Sequence, residues 1–202
     1  MAATDYAKAA KTLLAALDLD PDNKEIADEE LEAEKKAKAA DLEKQADQLM
    51  DEGKFAEAGK LYAVAMGLDP TNVRLPAKQK DAVNKAQAQE LKEQAEHECD
   101  ALDFAQAVDT FDKALALDPD DGSPRHAQIQ KERDDAARMV HMLELKKKGE
   151  GEMAEGKYDD AVRTLLEALE LDPSNKELSH LPPNPPPLTT QQPPKVEQLP
   201  SS

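Results

Sequence analysis

Four stretches decide how this chain reads: LDLDPDN from Leu17 to Asn23, GLDPTN from Gly67 to Asn72, LALDPDD from Leu115 to Asp121, and LELDPSN from Leu169 to Asn175. Their prolines, Pro21, Pro70, Pro119 and Pro173, stand 49, 49 and 54 residues apart. Each closes a similar segment: DYAKAAKTLLAAL, KFAEAGKLYAVAM, DFAQAVDTFDKAL and KYDDAVRTLLEAL. One supersecondary unit recurring at a fixed period is the mark of a repeat architecture.

In each segment an aromatic (Tyr6, Phe55, Phe104, Tyr158) precedes an alanine by three residues, and apolar residues follow at helical spacing. That pattern predicts a helix of about four turns with one buried stripe. Small residues let a second helix approach closely. Ala9, Ala58, Ala107 and Ala161, with Ala16, Ala65, Ala114 and Ala168 seven further on, are therefore the expected packing points. Pro70, Pro119 and Pro173 stop their helices, because proline lacks an amide donor and pushes the preceding residue out of the helical region. Gly53 and Gly156 provide left-handed turns before Phe55 and Tyr158. Leu102 takes that place before Phe104, which predicts a turn of different shape.

Working outward, the 202 residues include only six aromatics and no Trp, and 34% are charged. Such a composition favours an all-α chain and excludes a β-sandwich or an α/β hydrolase. A net charge of −17 repels phosphate backbones and anionic lipid, so neither nucleic-acid binding nor membrane insertion is expected. Cys99 is the only cysteine, which leaves no intrachain disulfide and implies a reducing compartment. The start lacks a basic stretch followed by an apolar one, so a soluble cytoplasmic protein is expected.

The order aromatic, Ala, large apolar, Ala, then LDP resembles the tetratricopeptide repeat. The first helix of each hairpin carries a small residue at its crossing point: Ala46, Ala95 and Gly149. Glu98 and Glu152 stand where that family often has an aromatic. The resemblance implies an α-α superhelix, or solenoid, of helix hairpins over residues 1–178. It reads as a half-repeat at about 4–21 and repeats at 22–70, 71–119 and 120–173.

The family period is about 34 residues, so the surplus here must lengthen the first helices. Residues 24–52 contain no Pro or Gly before Glu52 and place Ala27, Leu31, Ala39, Leu42, Ala46 and Leu49 on one stripe, interrupted at Lys35. That predicts a first helix of about 28 residues, on the order of 40 Å. Pro76 and Ser123-Pro124 are start signals for two more, running to about Asp100 and Glu155.

Two ends of the chain differ from the middle. Residues 5–26 and 157–178 match at thirteen of twenty-two positions, and stacked repeats bury their faces only against neighbours. Self-association, or capping by a partner through the terminal repeats, is the expectation. Residues 179–202 hold eight of the fourteen prolines and read as an extended or disordered tail, with PxxP spacings such as Pro182 to Pro185 that suit a docking ligand.

Chemistry-bearing patterns are sparse. His97, His126, His141 and His180 have no partnered nucleophile, and His97 and Cys99 fall on different helix faces. Neither a catalytic centre nor a cofactor is expected. Asp18, Asp20, Asp22 and Glu29 fit part of a calcium loop, but Asn23 replaces its turn glycine and Pro21 sits inside it. A calcium-responsive protein is accordingly the third reading of function.

The first reading is a non-catalytic adaptor or scaffold whose first helices line a concave surface. The family resemblance places its contacts at Glu43, Asp47, Lys92, Glu96, Lys146 and Glu150. The mixed charge suits a basic or amphipathic segment, and a large cytoskeletal or ciliary assembly is the expected setting. The second reading follows from the resemblance too: a co-chaperone holding acidic heat-shock chaperone tails, for which Lys92 and Lys146 fit and the family's asparagines are missing.

Overall fold

The computed structural model describes residues 3–119 and 122–179, which form eight helices and no strand. They are α1 (Ala3–Leu17), α2 (Lys24–Asp51), α3 (Phe55–Leu68), α4 (Leu75–Asp100), α5 (Phe104–Leu117), α6 (Pro124–Ala154), α7 (Tyr158–Leu171) and α8 (Lys176–Ser179). The chain forms two units, Met1–Ala136 and Ala137–Ser202, with the boundary inside α6. The PxxP spacings from Pro182 onward lie outside the described residues.

In the first unit α1 packs on α2, and α2 with α3 and α4 with α5 form successive hairpins, with α3 also packed on α4. Alanine dominates the core. Ala46, Ala58, Ala65, Ala82, Ala95, Ala107 and Ala114 are fully buried, which brings helix backbones close together. Large side chains enter sparingly: Tyr62 and Leu75 in one cluster, Phe111 and Ile129 in the next. Phe55 and Phe104, which open the second helices, are only half-buried. The deepest aromatics lie seven residues on, one full double turn along the same face.

The turn before Phe104 departs from the expectation. Leu102 adopts φ 63°, close to the 75° of Gly53. Its amide donates to the Cys99 carbonyl at 2.9 Å and that of Asp103 to Glu98 at 2.9 Å, as Gly53 donates to Met50 at 3.1 Å and Lys54 to Leu49 at 2.8 Å. These paired bonds satisfy the last helical carbonyls by a left-handed cap. The packing of each hairpin imposes one turn shape, and Leu102 accepts the steric cost with its side chain 72% exposed.

Two other readings need correction. On α1 the buried small residue is Ala10, whereas Ala9 is exposed and Ala16 half-buried. Ala58 shares a buried cluster with Ala46 of α2 and Ala107 with Ala95 of α4, whereas α1 packs on α2. On α2, Ala27 and Leu31 are exposed, while Ala33 is buried and Ile26, Glu30 and Ala37 are half-buried. The buried stripe turns there because α1 covers that side.

After Pro21 and Pro119 a polar side chain restarts the helix, whereas α4 begins at Leu75 with Pro76 in its first turn and no side-chain cap. Asn23 accepts from the Ile26 amide at 3.2 Å, and the Ser123 hydroxyl from that of His126 at 3.3 Å. The aspartate itself folds the turn: Asp69 accepts from the Thr71 amide at 3.2 Å and its hydroxyl at 2.6 Å. Short polar side chains that bond neighbouring backbone groups favour such caps and turns.

In the second unit the α6 segment from Ala137 and α7 form a further hairpin closed by Gly156 at φ 78°. Met142, Leu165, Ala168 and Leu178 form its core, and Ala161 is fully buried. At Gly149 the helices touch so closely that a Cβ would lie 2.5 Å from Leu165 Cγ. The Asp-Pro phrase repeats its geometry: Asp172 accepts from the Ser174 amide at 3.1 Å, and Asn175 from the Leu178 amide at 3.2 Å.

Candidate protein-binding groove

Glu43, Lys92 and Lys146 occupy one position of the repeat, twelve residues before the aromatic that opens the second helix. In the first unit each of the first two reaches the next first helix. Glu43, 9% exposed in its side chain, stands 2.8 Å from Lys78 and 3.7 Å from Arg74, and accepts from the Asn72 amide group at 3.2 Å. Asp47, one turn on, binds Lys78 through both oxygens at 2.7 and 2.8 Å and accepts from the Tyr62 hydroxyl. One repeat later Lys92 pairs with Glu96 on its own helix and with Glu132 at 3.1 Å. The sign of the cross-helix pair is reversed while its place is kept.

These contacts set the local electrostatics. Desolvation works against the charged form of Asp47, but hydrogen bonds from Lys78 and Tyr62 outweigh it and hold the carboxyl below its usual range. Desolvation likewise opposes Lys78 and Lys92, and carboxylate hydrogen bonds raise both ammonium groups. Burial, then the Asp47 carboxylate, pushes the Tyr62 phenol upward. In the second unit Lys146 pairs with Glu177 of α8 and stands 4.0 Å from Glu150. All six expected contact residues thus have partners within the chain.

The glutamates at the aromatic position also have a structural account. In the first full repeat, Leu49 and Leu61 pack beside the core. At the same positions the second unit has Glu152 and Thr164, whose hydroxyl donates to the carboxylate at 2.8 Å. The intervening repeat has Glu98 and Thr110, with Thr110 2% exposed and Glu98 accepting from Gln94 and Gln106 at 2.8 Å each. A leucine pair and a hydrogen-bonded Glu-Thr pair are alternative ways to fill one site without an unsatisfied hydroxyl.

One groove in the first unit has the size of a ligand site. It encloses about 720 Å³ and runs along α4 from Lys85 to Glu96, flanked by the end of α2 and the start of α6. Its apolar lining is Met50, Phe55, Pro124 and Ile129. Lys85, Lys92 and Arg125 lie low in it, 17%, 16% and 22% exposed. Arg125 stacks 4.6 Å over the Phe55 ring and pairs with the buried Asp118. Asp51, Glu52, Glu93 and Glu96 are exposed around the margin.

A family model for the tetratricopeptide repeat matches residues 152–175, the stretch that ends α6, forms α7 and includes the last Asp-Pro turn. This match and the all-helical hairpins support a repeat protein of the tetratricopeptide type. The same hairpin geometry recurs at α2–α3 and α4–α5. No curated protein and no solved structure gives a significant match.

Two of the six anticipated residues, Lys92 and Glu96, line this groove. Sequence reasoning did not find Lys78, Glu132 or Arg125, whose roles depend on contacts between repeats. A charge reversal at a shared repeat position, Glu43 against Lys92, was the available signal. Elsewhere, Asn23 caps α2 and donates to Asp20 at 3.0 Å. Among the described residues no cluster of three His, Cys, Asp or Glu side chains is arranged to hold a metal ion, and no helix is long and apolar enough to cross a membrane. Cys99 is half-buried; burial first, then Asp100 and Glu98, push its thiol up.

Proposed function

We propose that this tetratricopeptide-type protein is a non-catalytic scaffold that holds another protein through the groove along α4. The observation that supports this most is the combination, within one unit, of a recessed apolar lining, paired cations beneath and acids at the rim. Helix hairpins of this kind offer a rigid surface built from side chains on several elements, the arrangement a docking site needs.

The setting we favour is a subunit of a larger assembly of cytoskeletal or ciliary type. In support, α7 carries Val162 at 41% and Leu166 at 55% exposure, and α1 exposes Leu14 at 53%. Helices with such faces bury them against a neighbour in an assembly, whether a second copy or a different subunit.

The co-chaperone reading draws on Lys92 and Lys146 at a shared repeat position. Both are paired with acids, and Glu43 holds the third equivalent place, so an acidic tail meets carboxylates. Affinity capture by the full chain from native extract separates the two. Recovery of a stable set of structural proteins supports the scaffold. Recovery of heat-shock chaperones, lost on changing Lys92 and Lys146 to Ala, supports the co-chaperone instead.

A further inference from the structure

We infer that the groove along α4 selects a lysine- or arginine-rich amphipathic segment of the partner, with Asp51 and Glu93 reading its charge. This rests on the scaffold reading and specifies the chemistry of what the scaffold holds.

The inference comes from which charges in the groove are already satisfied. Lys92 is bound by Glu96 and Glu132, Arg125 by Asp118, and Lys85 stands 3.5 Å from Asp81. The three cations are therefore low in the groove and neutralised. At the margin, Glu52 pairs with Lys54, while among the described residues Glu93 accepts an amide hydrogen bond from Gln89 at 3.3 Å and has no cation partner. Asp51 is exposed at the C-terminal end of α2, where its charge adds to the negative end of the helix dipole. The surface potential offered to a ligand is consequently negative even though three cations line the same groove. Met50 and Phe55, both half-buried, give an apolar anchor a place to lie below that rim. An apolar stripe flanked by cations complements both features. The −17 net charge also speeds the approach of a cationic segment.

The test uses the full chain and two fluorescent probes, an amphipathic leucine–lysine peptide and the matching leucine–glutamate peptide, with anisotropy as the readout. Two variants carry the same net charge: Asp51→Lys with Glu93→Lys in the groove, and Glu144→Lys with Glu167→Lys at exposed positions in the second unit. The inference predicts binding of the lysine peptide alone, weakened about tenfold or more by the groove variant and about twofold or less by the control. Equal weakening by both variants means bulk attraction and overturns it, as does tighter binding of the glutamate peptide or no binding at all. Circular dichroism checks that both variants keep native helicity. Repeating the native-extract capture with the groove variant separates the two levels. A partner retained by both wild type and variant leaves the scaffold reading standing and removes this inference. A wild-type chain that captures nothing removes the scaffold reading itself.

Discussion

Lys92 of α4 reaches Glu132 of α6 at 3.1 Å, in the same place where Glu43 of α2 reaches Lys78 of α4 at 2.8 Å with opposite polarity. Neighbouring first helices are thus tied by ion pairs at one repeat position, and of these residues Lys92 also lines the groove. Each pair is partly shielded from water, with Lys92 16% and Glu43 9% exposed, so removing one partner leaves a partly buried charge without its counterion.

Lys92→Glu is expected to destabilise the fold by about 1–2 kcal/mol, because it sets like charges beside Glu96 and Glu132. Adding Glu132→Lys restores much of the loss by rebuilding the pair with the polarity used at Glu43 and Lys78. A double-mutant cycle by urea unfolding measures the coupling. Additive losses mean that the cross-helix pair contributes nothing.

The Asp47–Lys78 pair makes stability depend on pH in a definite sense. Asp47 is depressed below 3.8, so its contribution is present above that value and disappears as pH falls through the folded pKa. Lys78 is raised above 10.5, so its contribution is present below that value and is lost as pH rises through the folded pKa. The difference in melting temperature between wild type and Lys78→Met is therefore largest near neutrality and shrinks toward both extremes. A difference independent of pH indicates that Lys78 acts by packing alone.

Leu102→Gly is expected to raise stability by about 0.5–1 kcal/mol, since glycine adopts φ 63° without the steric cost leucine bears. The reverse change, Gly53→Leu, costs about 1–2 kcal/mol. Thermal unfolding of the two variants checks both signs.

Gly149 and Gly151 lie two residues apart on α6 and should respond oppositely to alanine. A Cβ at Gly149 meets the body of Leu165, so overpacking outweighs the gain in helix propensity and the net cost is about 1–2 kcal/mol. At Gly151 nothing lies within 4 Å, and alanine stabilises by about 0.5–1 kcal/mol. Chemical denaturation of the two variants decides it.

Much of this fold was legible because the repeat speaks through backbone chemistry. The Asp-Pro phrases at Pro70 and Pro119 mark where α3 and α5 stop, and the glycine-poor stretch from Lys24 reads directly as the long α2. Turn shape at Leu102 was not legible, because local preference argued for a different backbone and hairpin packing overrode it. The groove was legible only in part. Lys92 and Glu96 stand out by their repeat position, whereas Asp51, Phe55 and Arg125 come from three elements that only the packed chain brings together. The Glu-Thr pairs show the same limit, since Glu152 reads as an anomaly until Thr164 is seen beside it.

The most direct test of the account places a photo-crosslinking amino acid at Gln89, exposed on α4 inside the groove, with a second placement at exposed Lys60 on α3 as the comparison. After illumination in native extract, mass spectrometry identifies the crosslinked peptides. One recurrent partner is expected at Gln89, joined through a segment rich in Lys or Arg, with no enrichment of it at Lys60. The same products from both positions, or an acidic chaperone tail as the recurrent product at Gln89, would contradict it.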